Sequence, residues 1–170
     1  MTKKDINIFT DGSTLNNQTK GKRRGGVGVY FGENDPRNIS LSLVEDDNNK
    51  VTNQVTELLA CVLGIETILS SEKISKRKIN IYTDSMYIVN IINTWAKGWV
   101  KNNWKKSDGK TIDNLDIVKK LYYYTINIKV NMIHVRSHQK EPSKSDSNYF
   151  SWYGNKQADE LAVNASKRIS

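Results

Sequence analysis

Four acidic residues could do chemistry together, three where strands or helices are read to begin or end and one within the last helix: Asp11 in Thr10-Asp11-Gly12-Ser13, Glu57 at the head of an apolar run, Asp84 after Ile81-Tyr82-Thr83, and Asp159 in Ala158-Asp159-Glu160. Each alone has a plain structural explanation. Asp-Gly favours a turn, an acid in the first turn of a helix meets the positive end of its dipole, an acid between strand and helix caps the helix, and Asp159 lies one turn from Lys156. If the four converge, their chemistry changes. Carboxylates gathered without cations repel and resist desolvation, so such a cluster calls for a divalent metal. Ligation by oxygen alone selects Mg²⁺ or Mn²⁺ over zinc. His134 and His138, read along one strand, are ~13 Å apart, too far to share a zinc ion.

The elements that must bring these acids together follow from periodicity. Ile6 to Thr10 reads as a strand ended by Asp11-Gly12, Gly25 to Gly32 as a second strand after the basic loop Lys20 to Arg24, and Asn38 to Val44 as a third. Val55, Leu58, Leu59, Val62, Ile65 and Leu69 fall at helical spacing, with Ala60, Cys61 and Gly64 on an adjoining small face. Lys78 to Thr83 alternates as a strand, Ser85 to Trp95 resumes helical spacing, Asp113 to Tyr124 is another helix, Ile126 to Val135 the last strand, and Asn155 to Lys167 the closing helix. Strands joined by turns and then alternating with helices predict an α/β fold, a mixed sheet covered by helices. Parallel strands side by side would carry Asp11 and Asp84 to one strand-end crevice. Gly26-Val27-Gly28 lies inside a strand and opens no helix, so it is not a dinucleotide loop.

The chain has 170 residues, a length suited to one domain, and 26 Lys+Arg against 18 Asp+Glu give it a net charge of +8. That excess favours a polyanionic partner. No run approaches the ~20 apolar residues that span a bilayer, and the N-terminal residues lack a signal-peptide core, so an intracellular protein without membrane attachment is expected. The single cysteine, Cys61, sits in an apolar run, permits no intrachain disulfide and reads as a buried small hydrophobe.

Five blocks then show a shared pattern: Phe9-Thr10-Asp11-Gly12-Ser13; Thr52-Asn53-Gln54-Val55-Thr56-Glu57-Leu58; Tyr82-Thr83-Asp84-Ser85-Met86-Tyr87; Trp95-Ala96-Lys97-Gly98-Trp99 through Trp104 to Lys110; and His138 with Gly154-Asn155-Lys156-Gln157-Ala158-Asp159-Glu160-Leu161-Ala162. In order and spacing they resemble a type 1 ribonuclease H over nearly the whole chain. The resemblance implies one catalytic domain over residues 1–170 with a five-stranded sheet, three strands antiparallel and then two parallel, and helices on both faces. It implies hydrolysis of the RNA strand of RNA·DNA hybrids, leaving 3′-hydroxyl and 5′-phosphate ends, with two Mg²⁺ ions or Mn²⁺ in their place. Asp11, Glu57, Asp84 and Asp159 match the family's acids: Asp11 would bridge both ions, Asp159 would help hold the one that activates water, and Glu57 and Asp84 the one facing the leaving oxygen. His138 matches its mobile histidine, a side-chain type able to move protons near neutrality.

Residues for gripping substrate are implied as well. Between Trp95 and Lys110, five lysines stand against one aspartate with three tryptophans among them, a mixture suited to neutralising a backbone and stacking on sugars and bases. By the resemblance, Tyr87, Trp95 and Trp99 lie along the DNA strand; Thr52 and Asn114, with Lys50 nearby, form a pocket for a DNA phosphate; and Asn53 and Gln54 reach the minor groove, where 2′-hydroxyls mark the RNA. Asn53 would also cap its helix. Three features depart from the family: the long loop at about 139–151, Arg136-Ser137 ahead of the histidine, and Val55 in place of an arginine. The partner expected is the hybrid alone, bound by a monomer with no obligate protein partner. A non-catalytic nucleic-acid-binding module and a DNA-cutting recombinase relative are the competing readings.

Overall fold

The computed structural model describes residues 4–15, 22–71 and 77–168; Lys20 and Gly21 of the predicted basic loop lie outside them. Five strands, β1 (Ile6–Leu15), β2 (Arg24–Tyr30), β3 (Ile39–Val44), β4 (Ile79–Thr83) and β5 (Val130–His134), form one sheet in the order β3-β2-β1-β4-β5. β1–β2 and β2–β3 pair antiparallel, β1–β4 and β4–β5 parallel, as the resemblance implied.

Isoleucines and valines at alternate positions turn one sheet face toward α1 (Asn53–Ser71), where Ile8, Val27, Val29, Ile79 and Ile81 meet Leu58, Ile65 and Ile68. α1 is long and apolar enough to cross a membrane by length and composition, which the sequence reading did not foresee, yet half of that stretch is buried in this core. Cys61 is free and fully buried, its Sγ 3.5 Å from Thr10 Oγ1, and burial pushes its thiol pKa up to about 12.

The opposite face receives α5 (Tyr149–Lys167) across β1, β2 and β3. The approach is close because β2 offers glycines and α5 offers Ala158, Ala162 and Ala165. A Cβ built on Gly28 would stand 2.7 Å from the Ala162 amide nitrogen, and one on Gly26 would stand 2.6 Å from that of Ser166. Ser40 and Ser42 of β3 fasten the helix by donating to the carbonyls of Leu161 (2.7 Å) and Ala165 (2.6 Å). Beyond the reach of α5 this face is polar: Asn7, Asn80 and Asn131 are neighbours in register across β1, β4 and β5 and bond side chain to side chain.

Four predicted boundaries move. β1 does not end at Asp11-Gly12; its ladder with β2 continues through Asp11↔Gly28 and Gly12↔Val27 to Leu15↔Arg24, so pairing overrides the local turn preference. The helix predicted for Ser85 to Trp95 is α2 (Met86–Asn90), which widens into a π-helical turn at Ile91–Trp95 and continues as α3 (Ala96–Lys101). α4 (Leu115–Asn127) takes residues 126–127 from the predicted last strand. α5 starts at Tyr149, six residues before the predicted Asn155, and shortens the long loop at its C-terminal end. Aromatic residues are modest helix formers, but Tyr149 stacks on Tyr153 at 5.9 Å and Phe150 meets the Phe9 ring edge-on at 5.3 Å, so tertiary packing wins.

Gly28→Ala forces a methyl into the α5 backbone and is expected to destabilise the fold by about 1–3 kcal/mol, whereas Gly32→Ala, with nothing within 4 Å of the added carbon, leaves the urea midpoint nearly unchanged. Equal midpoints for the two variants would contradict the contact.

Candidate active site

β1 and β4 pair in parallel as far as Phe9↔Tyr82, whose rings stack at 4.5 Å. Asp11 and Asp84 each stand two residues further on, so strand alternation puts both on the face that carries those rings. Asp84 does not cap α2: Ser85 does, its Oγ accepting from the Ile88 amide at 3.3 Å, while Thr83 Oγ1 accepts from the Ser85 amide at 3.1 Å. The Asp84 carboxylate is thereby released toward the cleft.

Glu57 arrives from α1. That helix begins at Asn53, and Thr52 Oγ1, not Asn53, caps it by accepting from the Val55 amide at 3.1 Å. Its first turn holds no acid, so the dipole explanation of Glu57 does not apply. The helix head sits directly on β1 because Gly12 has no side chain; a Cβ there would lie 2.6 Å from the Glu57 amide nitrogen. Asp159 comes from α5, in hydrogen-bonding reach of Asp11 and beside Ala158, whose carbonyl faces Gly28.

One carboxylate oxygen from each of Asp11, Glu57 and Asp84 lies within 4.8 Å of the others. Together with Asp159, Asn53, Gln54, Ser85 and His138 they line a cleft of about 350 Å³. Burial raises the Asp11 carboxyl pKa far above the carboxylate range, the charges of Glu57 and Asp84 add to the shift, and the hydrogen bonds with Asp159 and Glu57 push the same way. Burial likewise raises Glu57, against the lowering effect of its bond to Asp11. Asp84 is raised by burial and then by Asp159, while His138 and His134 both pull it down. Glu57 Oε2 is shielded from solvent and has no hydrogen-bond partner among the described residues. A hard cation satisfies every one of these groups: it takes oxygen ligands, neutralises the repulsion and fills the shielded lone pair.

A model of the RNase H family matches residues 3–167. The chain belongs to the ribonuclease H family. It is 33% identical over 155 residues to a ribonuclease H of Schizosaccharomyces pombe, covering 91% of this chain and 50% of that one. It is 32% identical over 139 residues to a ribonuclease H of Pseudoalteromonas atlantica, covering 82% of each. The chain thus spans about half the length of the first of these relatives. Among solved structures, the type 1 RNase H LC9-RNase H1 shares the fold at a TM-score of 0.69 and 23% identity, over 98% of this chain and 74% of that one.

The remaining ribonuclease H residues singled out in the sequence fall into three places. Asn53 and Gln54 are exposed beside the acids, with Asn53 Oδ1 accepting from Thr14 Oγ1 at 2.5 Å; Lys50 is exposed and Thr52 half-buried just ahead of them. Tyr87, Trp95 and Trp99 form an aromatic row at 6.5 and 6.1 Å, and Asn114, in a left-handed conformation before α4, hydrogen-bonds the Tyr87 hydroxyl. Among the described residues no hydrogen bond joins Thr52 to Asn114. Trp95 and Trp99 wall a cavity of about 840 Å³ together with Lys105 and Lys106. Trp104, counted with them in the sequence, is buried against Tyr122 and Tyr123 instead and serves as an anchor. His138 is not an extension of β5, which ends at His134; it is exposed in the following loop with φ +55°. His134, Arg136, Trp152 and Asn155 around Asp84 and Asp159 were not singled out as site residues. The block spacing held Asn155 and Lys156 in view; nothing in periodicity pointed to Trp152.

A carboxyl whose pKa is raised in the fold adds stability that is full below its unfolded value of about 4 and is lost as pH climbs through the folded one. Metal-free wild-type protein should therefore lose stability from acid pH toward neutrality. Asp11→Asn should melt higher than wild type near pH 7 by about 2–4 °C per kcal/mol of repulsion relieved, and millimolar Mg²⁺ or Mn²⁺ should raise the melting temperature of wild type more than that of the variant. A wild-type melting temperature indifferent to both ions would count against the cation reading.

Proposed function

We propose that this chain is the catalytic part of a divalent-metal-dependent endonuclease that hydrolyses the RNA strand of RNA·DNA hybrids and leaves 3′-hydroxyl and 5′-phosphate ends. The observation that carries the reading is the meeting of Asp11, Glu57 and Asp84 at one strand-end cleft, with the shielded, unpartnered Glu57 Oε2 among them. Family membership and the basic aromatic protrusion beside the cleft support the substrate.

Asp11, Glu57, Asp84 and Asp159 would hold two Mg²⁺ ions, or Mn²⁺ in their place, and the chemistry such ions supply when bound is activation of water and stabilisation of the oxygens of an in-line displacement. The protein's own residues do the rest. Asn53 and Gln54, exposed on the rim, offer amides to 2′-hydroxyls and base edges in a hybrid's minor groove. Trp95 and Trp99 give flat faces and Lys105 and Lys106 give charge to the DNA backbone. Tyr87 and Asn114, already bonded to each other, stand at the foot of that protrusion, and Lys50 with Thr52 supplies the charge and hydroxyl for a DNA phosphate. His138, exposed at the mouth of the cleft, moves a proton or helps the cut strand depart.

Labelled RNA·DNA, RNA·RNA and DNA·DNA duplexes on a gel, with and without Mg²⁺, test this reading. Cleavage is expected in the hybrid alone and only with metal. Asp84→Asn should lower the rate about 10²-fold or more while the hybrid Kd stays within a few-fold. Hybrid binding without turnover in either Mg²⁺ or Mn²⁺ would make the chain a binding module, and cutting of DNA·DNA would make it a DNA nuclease.

A further inference from the structure

A second cavity, of about 240 Å³, opens beside the acid cleft and shares Asp84, His138 and Asp159 with it. Its far wall is cationic. Arg136 leaves β5 just ahead of the histidine and Lys156 lies one turn before Asp159 on α5, and both are exposed. The sequence suggested that Lys156 pairs with Asp159, but among the described residues no ion pair joins them. Lys156 Nζ instead sits 5.4 Å from the centre of the Trp152 ring, and the Trp152 indole N–H donates to the Gln139 carbonyl at 3.2 Å. Trp152 therefore ties the histidine loop to α5 and gives the lysine a fixed seat. Arg136 has no ion-pair or hydrogen-bond partner among the described residues. Asn155 Oδ1, on the same cavity, is shielded and has no hydrogen-bond partner among the described residues.

Two cations without carboxylate partners, set at the edge of a carboxylate cluster, are arranged for a third party. Among the described residues neither forms an ion pair with the acids, and Lys156 is seated on an aromatic ring instead. We propose that Arg136 and Lys156 form a phosphate subsite for the strand being cut, receiving the phosphodiester next to the one at the acids. This rests on the hybrid-cleaving reading and adds where the substrate backbone runs: across the notch between the histidine loop and α5, on the opposite side of the acids from Asn53 and Gln54. A guanidinium and an ammonium facing one notch suit a phosphodiester, which takes a forked donor and a point charge together. The acid cleft alone would repel that same backbone, so a cationic lip sets the register in which the strand crosses it.

The test uses the whole chain with Arg136→Gln, Lys156→Gln and the double variant, and Lys144→Gln as a control for an exposed lysine on the same loop outside the cavity. The double variant should raise KM for the hybrid about 5- to 10-fold, with the loss in KM and not in kcat, and reduce the slope of log KM against log salt by about 1 for the lost contact. Lys144→Gln should leave the slope in place. A neutral methylphosphonate walked along the RNA should weaken wild type at one phosphate flanking the cut, and the double variant should no longer be sensitive there. Unchanged KM and slope in a double variant that still cuts, or an equal effect from Lys144→Gln, overturns the subsite and leaves the nuclease reading standing. Absence of cleavage by wild type fails that reading itself.

Discussion

Backbone contact holds together groups that would rather be apart. Three carboxylates within 4.8 Å, with Asp11 only 3% exposed, are an unfavourable arrangement in metal-free protein. What prevents them from spreading is where α1 and α5 touch the sheet. Gly12 lets the head of α1 rest on β1, and Gly26 and Gly28 let α5 rest on β2, each contact near enough that a single methyl would collide with main-chain atoms. Densely packed main chain yields much less than side chains do. Repulsion is thus stored in the cleft and not relaxed by helix movement, which is the preorganisation that charge-stabilised catalysis requires.

Charge is distributed on two scales. The chain carries +8 overall, yet its cleft is locally acidic, so attraction of a polyanion and rejection of phosphate occur within one surface. The basic protrusion needs its own support to be useful, and Trp104 supplies it. Buried against Tyr122 and Tyr123, with Lys119 Nζ 5.5 Å from its ring centre, it fixes the turn after α3 to α4. Its amide donates to the Trp99 carbonyl at 2.6 Å, and Lys105 bridges to Thr111 across the loop. With that turn pinned, Trp95 stands exposed and Trp99, half-buried against the core, keeps one side on the cavity beside the lysines.

Much of this was legible beforehand, for reasons that differ by residue. Strand existence follows from alternation, strand direction was implied by the family resemblance of the five blocks, and the meeting of Asp11 with Asp84 follows from laying parallel strands side by side. The local reasoning about each acid failed in an informative way. Asp11-Gly12 is a turn signal sitting in a ladder, Asp84 stands where a cap would be but Ser85 does the capping, and Glu57 lies too deep in α1 to serve the dipole. At Asp84 the ordinary duty falls to a neighbour, and at Asp11 and Glu57 the fold does not call on it, so all three acids are free for the cleft. The start of α5 and the setting of His138 were not legible, because they depend on contacts beyond the local sequence, the ring contact of Phe9 with Phe150 and the hydrogen bond of Trp152 to the Gln139 carbonyl, that leave no periodic trace.

One of the acids, Asp11, lies within strand β1, Asp84 follows directly on strand β4, and two ride on helices, and that division has a thermodynamic consequence. The positions of Asp11 and Asp84 are set by the β1–β4 ladder, which is part of the core. Glu57 and Asp159 hold their places only while α1 and α5 remain docked. A cation bridging strand acids and helix acids would therefore bind the docked state in preference to any partly undocked one, so occupancy of the cleft and seating of both helices must be linked, each favouring the other to the same extent. α5 also carries Lys156 and Trp152, and Trp152 holds the histidine loop through Gln139. Seating of α5 thus orders the notch beside the acids together with the acids themselves. One helix contact against two glycines of β2 governs both the charge that would hold metal and the cations that would receive the strand.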